Sequence, residues 1–458
     1  MGLFDLFKKK KTVVEIENAT SENNSSPEEI EENSSQEEFI LIKPISAEES
    51  ISVEQIPAKE EIPDENFDCS ELGIYDPTMD LSGYEYPSFP LLTKTEMNID
   101  AEQSIDSSRI IEILNSFGVK IKSIHVNIGA IITLFEIVPE LGVKISALRR
   151  LEEDIAISLS TAGVNIVPIP ERGTIGIVIP NKNPQILSLE SVLNTVEFRE
   201  SRHELPVVIG KTMTNDVFVF DLCQMPHLLV AGATGQGKSV GLNVMIASFL
   251  YKKHPAELKL VLIDPRIVEF NTYLPIQNHF LAKLPSASKP VISSIEDTIN
   301  TINSLVKEMD DRYDSLAKSN ARDIKEYNEK FVNRKLNPLK GHKYMPYIVI
   351  IIDEFADLLI PNDNRLELVL DRLASKAHTV GMHLIISTQR PSAKVITGSI
   401  KANFPARLAF KVASSTDSRI ILDEQGAEQL TGRGDALFSY GGKTTRIQVA
   451  FAGTKEVE

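Results

Sequence analysis

Residues 232–239 read Gly-Ala-Thr-Gly-Gln-Gly-Lys-Ser, and no other run constrains the fold of this chain as tightly. The run matches G-x-x-x-x-G-K-[ST] in full, the loop whose backbone amides wrap a phosphate chain. Its flanks supply the context the motif needs. Leu228-Leu229-Val230 leads in as an apolar strand, and Val240 to Tyr251 carries the apolar spacing of a helix. Gly232, Gly235 and Gly237 are expected to let the backbone approach phosphate oxygens, with Ala233, Thr234 and Gln236 contributing to the same anion nest. The helix N-terminus adds partial positive charge. Lys238 is expected to neutralise β- and γ-phosphates, and Ser239 to offer its hydroxyl to Mg2+.

At 458 residues the chain has room for two or three domains. The net charge of −16 is concentrated: residues 11–70 hold 17 Asp/Glu against three Lys/Arg. The rest is near balance, so overall acidity does not exclude a polyanionic partner. Cys69 and Cys223 lie far apart and predict a reducing compartment rather than a disulfide framework. No apolar run approaches the roughly 18–20 residues of a membrane span. The start, Met1-Gly2-Leu3-Phe4-Asp5-Leu6-Phe7 followed by Lys8 to Lys11, is too short for a signal peptide. It reads as an exposed, solvated start, with a weak amphipathic membrane contact as the alternative.

Residues 1–95, rich in Glu, Ser, Asn, Ile and Pro without sustained period, predict a disordered acidic tether. Residues 96–196 predict a small α+β domain. Ile110, Ile111, Leu114 and Phe117 share a helical face that Gly118 ends. Strand-like runs follow at 121–126 and 131–138, then a single helix over 145–160, then runs at 164–169 and 174–179. From residue 197 to 458 strands and helices alternate as in a doubly wound α/β sheet. Core strands are expected at 227–231, 258–264, 347–353, 383–388 and 407–412, with 435–440 and 446–452 at a β-rich end. Between the second and third, Ser293-Ser294-Ile295-Glu296 has capping-box spacing before a stripe of Ile295, Ile299, Ile302, Leu305 and Met309.

Tyr347 to Ile352 form an apolar run ending in Asp353-Glu354, the Walker B pattern. A buried parallel strand requires such a run, and ligands bind at its C-terminal edge. Asp353 is expected to hold Mg2+, and Glu354 to orient and polarise the attacking water. Ser387-Thr388-Gln389-Arg390-Pro391-Ser392 ends another apolar strand at the same edge. Gln389 is the candidate contact to a γ-phosphate, with a surface turn set by Pro391 as the alternative.

The stretch from about Ser107 to Gly453 resembles the motor of the FtsK/SpoIIIE DNA translocases. The resemblance is carried by Gly-Ala-Thr-Gly-Gln-Gly-Lys-Ser-Val-Gly (232–241), Ile263-Asp264-Pro265-Arg266, Glu326-Tyr327-Asn328-Glu329-Lys330 and Ile352-Asp353-Glu354-Phe355-Ala356-Asp357-Leu358. It continues in Thr388-Gln389-Arg390-Pro391-Ser392, Val395-Ile396-Thr397-Gly398, Ile400-Lys401-Ala402-Asn403, Asp417-Ser418-Arg419 and Gly432-Arg433-Gly434-Asp435. Phe117-Gly118-Val119 and Ile179-Pro180-Asn181-Lys182 place the small domain as the family's α subdomain. The resemblance implies an α/β, RecA-like P-loop NTPase domain with a mostly parallel central sheet. It further implies ATP with Mg2+, double-stranded DNA as partner, a homo-oligomeric hexameric ring, and work in chromosome segregation or cell division. Arg390, Lys401 and Arg419 match basic positions of the family's pore-facing region, and each is otherwise an ordinary surface charge or subunit salt bridge. Lys and Arg suit phosphate contacts that ignore base identity.

Three departures accompany the resemblance. No counterpart of the family's C-terminal winged-helix domain or of its usual N-terminal transmembrane region is expected within these residues. The expectation is accordingly a cytoplasmic protein that a membrane or divisome partner recruits to the inner face through the N-terminal segment. The family's trans-acting Arg after Walker B is replaced in Lys376-Ala377-His378. His378 is a pH-dependent cation. Either another residue such as Arg372 supplies the trans charge or hydrolysis is slow; on one regular helix the two would point apart. Two other readings remain: a related ring ATPase that moves protein or plasmid DNA in secretion or conjugation, and a scaffold that binds nucleotide without hydrolysing it.

Overall fold

The computed structural model describes residues 73–94 and 107–458, apart from 141, 162, 170 and 171. Met1–Lys11, Cys69 and the expected tether up to residue 72 lie outside the described residues. Two sheets organise the remainder.

The small domain is built on an antiparallel sheet of β1 (Ile121–Ile128), β2 (Ile132–Pro139), β3 (Asn165–Ile169) and β4 (Thr174–Pro180), in the order β1-β2-β4-β3. Phe135, Ile137, Ile175 and Ile177 of its inner face pack on α1 (Ser107–Ser116) through Ile110 and Leu114. The helix predicted over 145–160 is two helices, α2 (Ile145–Arg149) and α3 (Glu152–Leu159). The break is held from both sides by β3: Arg149 Nε donates to Ile166 O at 3.3 Å, and Ile166 N donates to Glu152 Oε1 at 2.7 Å. Two short helices, α4 (Glu190–Leu193) and α5 (Val196–Arg199), lead into the larger domain.

That domain carries a ten-stranded sheet. Its parallel part uses β7 (His227–Ala231), β8 (Leu258–Ile263), β9 (Val291–Ile292), β10 (Tyr347–Ile352), β11 (Met382–Thr388) and β12 (Ala406–Phe410), in the order β12-β7-β11-β10-β8-β9. The β7, β8, β10 and β11 strands are buried along their whole length, as the continuous apolar runs require. Beyond β12 the sheet turns antiparallel through β13 (Asp435–Tyr440), β14 (Lys443–Val449) and the hairpin of β5 (Pro206–Thr212) and β6 (Val217–Asp221). The apolar pattern did not mark this hairpin: Pro206 and Gly210 interrupt β5, and a Cβ at Gly210 would sit 1.9 Å from Gln448 O.

The loop motif opens α6 (Lys238–Lys252). The long insertion is α7 (Ile295–Ser319), followed by α8 (Ile324–Val332). The N-cap of α7 is Ser294, whose Oγ accepts from Asp297 N, one residue later than the spacing from Ser293 predicted. Its stripe of Ile299, Ile302, Leu305 and Met309 is core. Among the described residues no helix is long and apolar enough to cross a membrane.

Residues 73–94, which composition assigned to the tether, lie on the larger domain. Tyr75 packs edge-on against Phe331 of α8 with ring centroids 5.1 Å apart, and Tyr75 N donates to Val332 O. Tyr84 meets His254 and Phe280, Phe89 meets Tyr251, and Leu92 is buried. Thr93 N donates to Glu456 Oε1 in the terminal helix Thr454–Val457. Aromatic side chains spaced along an otherwise polar segment gain burial here that no local periodicity announces.

Candidate functional site

The loop 232–237 joins the C-terminal end of β7 to α6, and its glycines are there for different reasons. Gly237 has φ +118°, and a Cβ on it would approach Gly434 Cα and Phe410 Cε1 to about 3 Å. Gly232 has ordinary backbone but packs against Phe410, where a Cβ would come within 2.6 Å of the Phe410 Cβ. Thus one glycine supplies conformation and the other close approach. Among the described residues nothing accepts a hydrogen bond from the N–H of Gly235, Gly237, Lys238 or Ser239. Four converging unpaired donors at a helix start fit a chain of phosphate oxygens.

Three strand ends meet this loop. Lys238, Asp353 and Glu354 are 3 %, 1 % and 0 % exposed, so each charge requires a partner. Lys238 Nζ donates to Asp353 Oδ1 and, at 3.2 Å, to Ser387 Oγ; Ser387 Oγ in turn donates to Asp353. Lys238 Nζ also lies 3.9 Å from Glu354 Oε2. Glu354 accepts from Thr388 Oγ1 at 3.0 Å and from Gln389 N at 3.1 and 3.2 Å. Its backbone is left-handed, φ 42° and ψ 59°, a costly conformation for a residue with a side chain. The two adjacent acids of the β10 end share Lys238 and otherwise differ in partners, Ser387 for Asp353 and Thr388 with Gln389 N for Glu354. Gln389 spans the gap to the loop: its Oε1 accepts from Thr234 Oγ1 at 2.7 Å. Ser239, Lys238, Asp353, Glu354 and Gln389, spread between positions 238 and 389, share one strand-end cleft.

Several participants carried no signal of their own. Glu269 Oε1 accepts from Ser239 Oγ at 2.6 Å. Glu269 stands in a loop after β8 that Asp264 staples, its carboxylate accepting from Arg266 N, Val268 N, Glu269 N and Phe270 N. Arg266 Nε donates to Asp357 Oδ2 at 2.7 Å, and Arg266 Nη2 lies 3.5 Å from Glu354 Oε2. The hydrogen bond to Asp357, with Glu354 adding, raises the Arg266 pKa above its ordinary value. Sequence marked Asp264-Pro265-Arg266 and Asp357 only as parts of family text. The Gly432-Arg433-Gly434-Asp435 text buttresses the loop: Gly434 N donates to Gln236 O, and Asp435 forms a buried two-pronged pair with Arg446 at 2.9 and 2.6 Å.

The expected DNA cations differ in availability. Arg390 is exposed, with Nη2 3.5 Å from Asp357 Oδ1. Arg419 is exposed. Lys401 is half-buried and committed: its Nζ donates to Asp423 Oδ1 at 2.6 Å and to Arg419 O at 3.3 Å. The helices concerned are α9 (Arg365–Lys376), α10 (Gly398–Asn403) and α11 (Ser415–Leu422). Arg372 on α9 is exposed and paired with Asp310 at 2.7 Å. His378 does not share that helix: α9 stops at Lys376, and Ala377–Val380 form a tighter 3-10 turn. The exposed His378 ring stands edge-on to buried His227, 6.4 Å between centroids. Burial pushes His227 down to about 3 and His383 down to about 4, against the opposing pull of their bonds to the Ala374 and Pro226 carbonyls.

Comparison with known proteins agrees with this geometry. Residues 188–393 match the FtsK/SpoIIIE family and residues 86–181 the FtsK alpha domain. The chain is 41% identical over 404 residues to DNA translocase FtsK of Chlorobaculum tepidum, covering 85% of this chain and 49% of that protein. It is 43% identical over 383 residues to DNA translocase FtsK of Clostridium acetobutylicum, covering 82% and 48%. The chain thus spans about half the length of the curated relatives it matches. Among solved structures, the conjugation coupling protein TcpA of pCW3, in monomer form with ATPγS, superposes with TM-score 0.51 at 24% identity, covering 75% of this chain and 94% of that one. That likeness is one of fold alone. The two matched regions in that order, together with more than 40% identity over more than four-fifths of the chain to these relatives, place this chain in the FtsK/SpoIIIE family.

Proposed function

We propose that this chain is the motor of an ATP-driven translocase of double-stranded DNA that works as a ring of like subunits, hexameric as the family resemblance implies, in chromosome segregation or division. The observation that carries the reading is the meeting of Lys238, Asp353, Glu354 and Gln389 under the phosphate loop. Free amides of the loop and the Lys238 ammonium hold the β- and γ-phosphates. Ser239 and Asp353 are the residues that would hold Mg2+, which when bound neutralises charge on the phosphate oxygens. Glu354 accepts a proton from the attacking water, its carboxylate oriented by Thr388 and Gln389 N. Gln389, bonded to the loop and adjacent to Glu354, is placed to sense the γ-phosphate. Arg390, Arg419 and, once freed from Asp423, Lys401 contact DNA phosphates. Arg372 or His378 serves the neighbouring subunit's nucleotide. The relatives' printed activity supports DNA as cargo. The N-terminal segment recruits the motor to the inner face of the membrane.

The test is ATP turnover of purified protein with and without duplex DNA, for wild type and Lys238→Ala. Stimulation by DNA that vanishes in the variant is the expected result. Turnover indifferent to DNA points instead to a motor for protein cargo, and turnover that survives Lys238→Ala removes the site assignment.

A further inference from the structure

One chain of charges runs from the floor of the cleft to the surface. Glu354 is fully buried; Arg266, Asp357 and Arg390 have side chains 35 %, 25 % and 67 % exposed. Asp357 is the shared node. Its Oδ2 takes the 2.7 Å bond from Arg266 Nε, and its Oδ1 lies 3.5 Å from Arg390 Nη2. Arg266 divides its guanidinium in the same way, Nε to Asp357 and Nη2 toward Glu354 Oε2. The backbone around Arg266 is fixed. Asp264 accepts four amides of the loop, and Ile267 is held at φ +56°, a strained position for a β-branched residue. The guanidinium is therefore carried on an anchored backbone.

We propose that Arg266 and Asp357 are positioning residues that make the freedom of Glu354 depend on phosphate capture by Arg390. This rests on the proposed function, in which Arg390 meets DNA. A DNA phosphate offers Arg390 a two-pronged, charge-assisted contact that outcompetes a partly exposed pair at 3.5 Å. Asp357 Oδ1 is then free. Arg266 closes onto both Asp357 oxygens with Nε and Nη2, the geometry guanidinium and carboxylate prefer. Its Nη2 leaves Glu354 Oε2, and that oxygen, which then keeps the Gln389 N–H at 3.2 Å and Lys238 Nζ at 3.9 Å but no guanidinium, becomes available to water. DNA binding and proton acceptance are thereby coupled through one exchange of partners. Gln389 N continues to orient Glu354 throughout, so the exchange changes the charge facing the carboxylate and not its position.

The experiment measures steady-state ATP turnover with and without saturating duplex DNA for wild type, Arg266→Ala and Arg390→Ala, with kcat and KM separated. Both variants are expected to raise DNA-free kcat by about fivefold or more, the lower end of ordinary coupling between sites, with KM for ATP little changed. Both should also lose most of the DNA stimulation. A merely structural role lowers kcat in both conditions, so a rise without DNA is the specific readout. Arg390 is a surface residue, which keeps the test valid if Arg266→Ala folds poorly. DNA-free kcat unchanged or lowered in Arg390→Ala, with the wild-type stimulation ratio intact, overturns the relay. Wild type that ignores DNA altogether overturns the functional reading itself, and the relay with it.

Discussion

Ser239 Oγ donates a 2.6 Å hydrogen bond to Glu269 Oε1, joining the last residue of the phosphate loop to a carboxylate from the next strand's loop. A carboxylate in that position fixes the hydroxyl's rotamer and adds negative charge beside the proposed Mg2+ residues. Outer partners of this kind commonly tune metal affinity about 10- to 100-fold. Glu269→Gln is expected to raise the Mg2+ concentration that half-saturates ATPγS binding by about tenfold. Titration of nucleotide binding against Mg2+ checks this, and an unchanged midpoint assigns Glu269 to loop architecture alone.

Glu354→Gln keeps the shape of the residue and its bonds to Thr388 and Gln389 N but removes the base. Turnover should fall by about 10²-fold or more with ATP binding retained. Loss of nucleotide binding in this variant would make Glu354 a structural partner of Lys238 and Arg266.

His378→Arg should raise DNA-stimulated turnover by about tenfold, short of the about 10³-fold a fully built arginine finger supplies. Guanidinium presents a planar fork that can pair two phosphate oxygens at once, which imidazole cannot. His378 is exposed on its turn, whereas Arg372 is already paired with Asp310. Steady-state assays of His378→Arg and Arg372→Ala decide between them: an inert first variant with an inactive, still oligomeric second one gives the trans role to Arg372.

Truncation divides the N-terminal segment at a defined point. Removing residues 1–72 should leave the thermal midpoint and turnover unchanged. Removing 1–94 also strips Tyr75, Tyr84, Phe89 and Leu92 from the larger domain. Three aromatic side chains and one buried leucine correspond to about 3 kcal/mol or more. Denaturant midpoints of the two truncations test the boundary, and equal values would show that the segment adds nothing to stability.

Acid should destabilise the fold through His227 and His383. Their folded values, about 3 and about 4, lie below the ordinary histidine value of 6.5. The unfolded chain then binds more protons between those limits, so stability is full above about pH 6.5 and falls as pH drops through the window. By pH 5 the loss is about 2 kcal/mol per histidine. Unfolding free energies at pH 7 and pH 5 for wild type and His383→Gln measure it, and the variant should lose less on acidification.

The phosphate loop, the apolar β10 run into Asp353-Glu354 and the ordered family motifs were legible in the sequence because each is local. A loop that wraps phosphate needs glycines at fixed offsets, and a strand buried on both faces needs unbroken apolar residues. What the cleft adds could not be read that way. Glu269, Arg266, Asp357, Ser387 and Thr388 matter because parallel strands end side by side, and the register between strands sets which side chains meet. The break between α2 and α3, the β5–β6 hairpin and the docking of residues 73–94 likewise depend on partners distant in the chain. Sequence determined the chemistry of the proposed phosphate site. Tertiary packing alone decided how its charges pair, because hydrogen bonds and ion pairs between strand ends are set by distances that no spacing along the chain encodes.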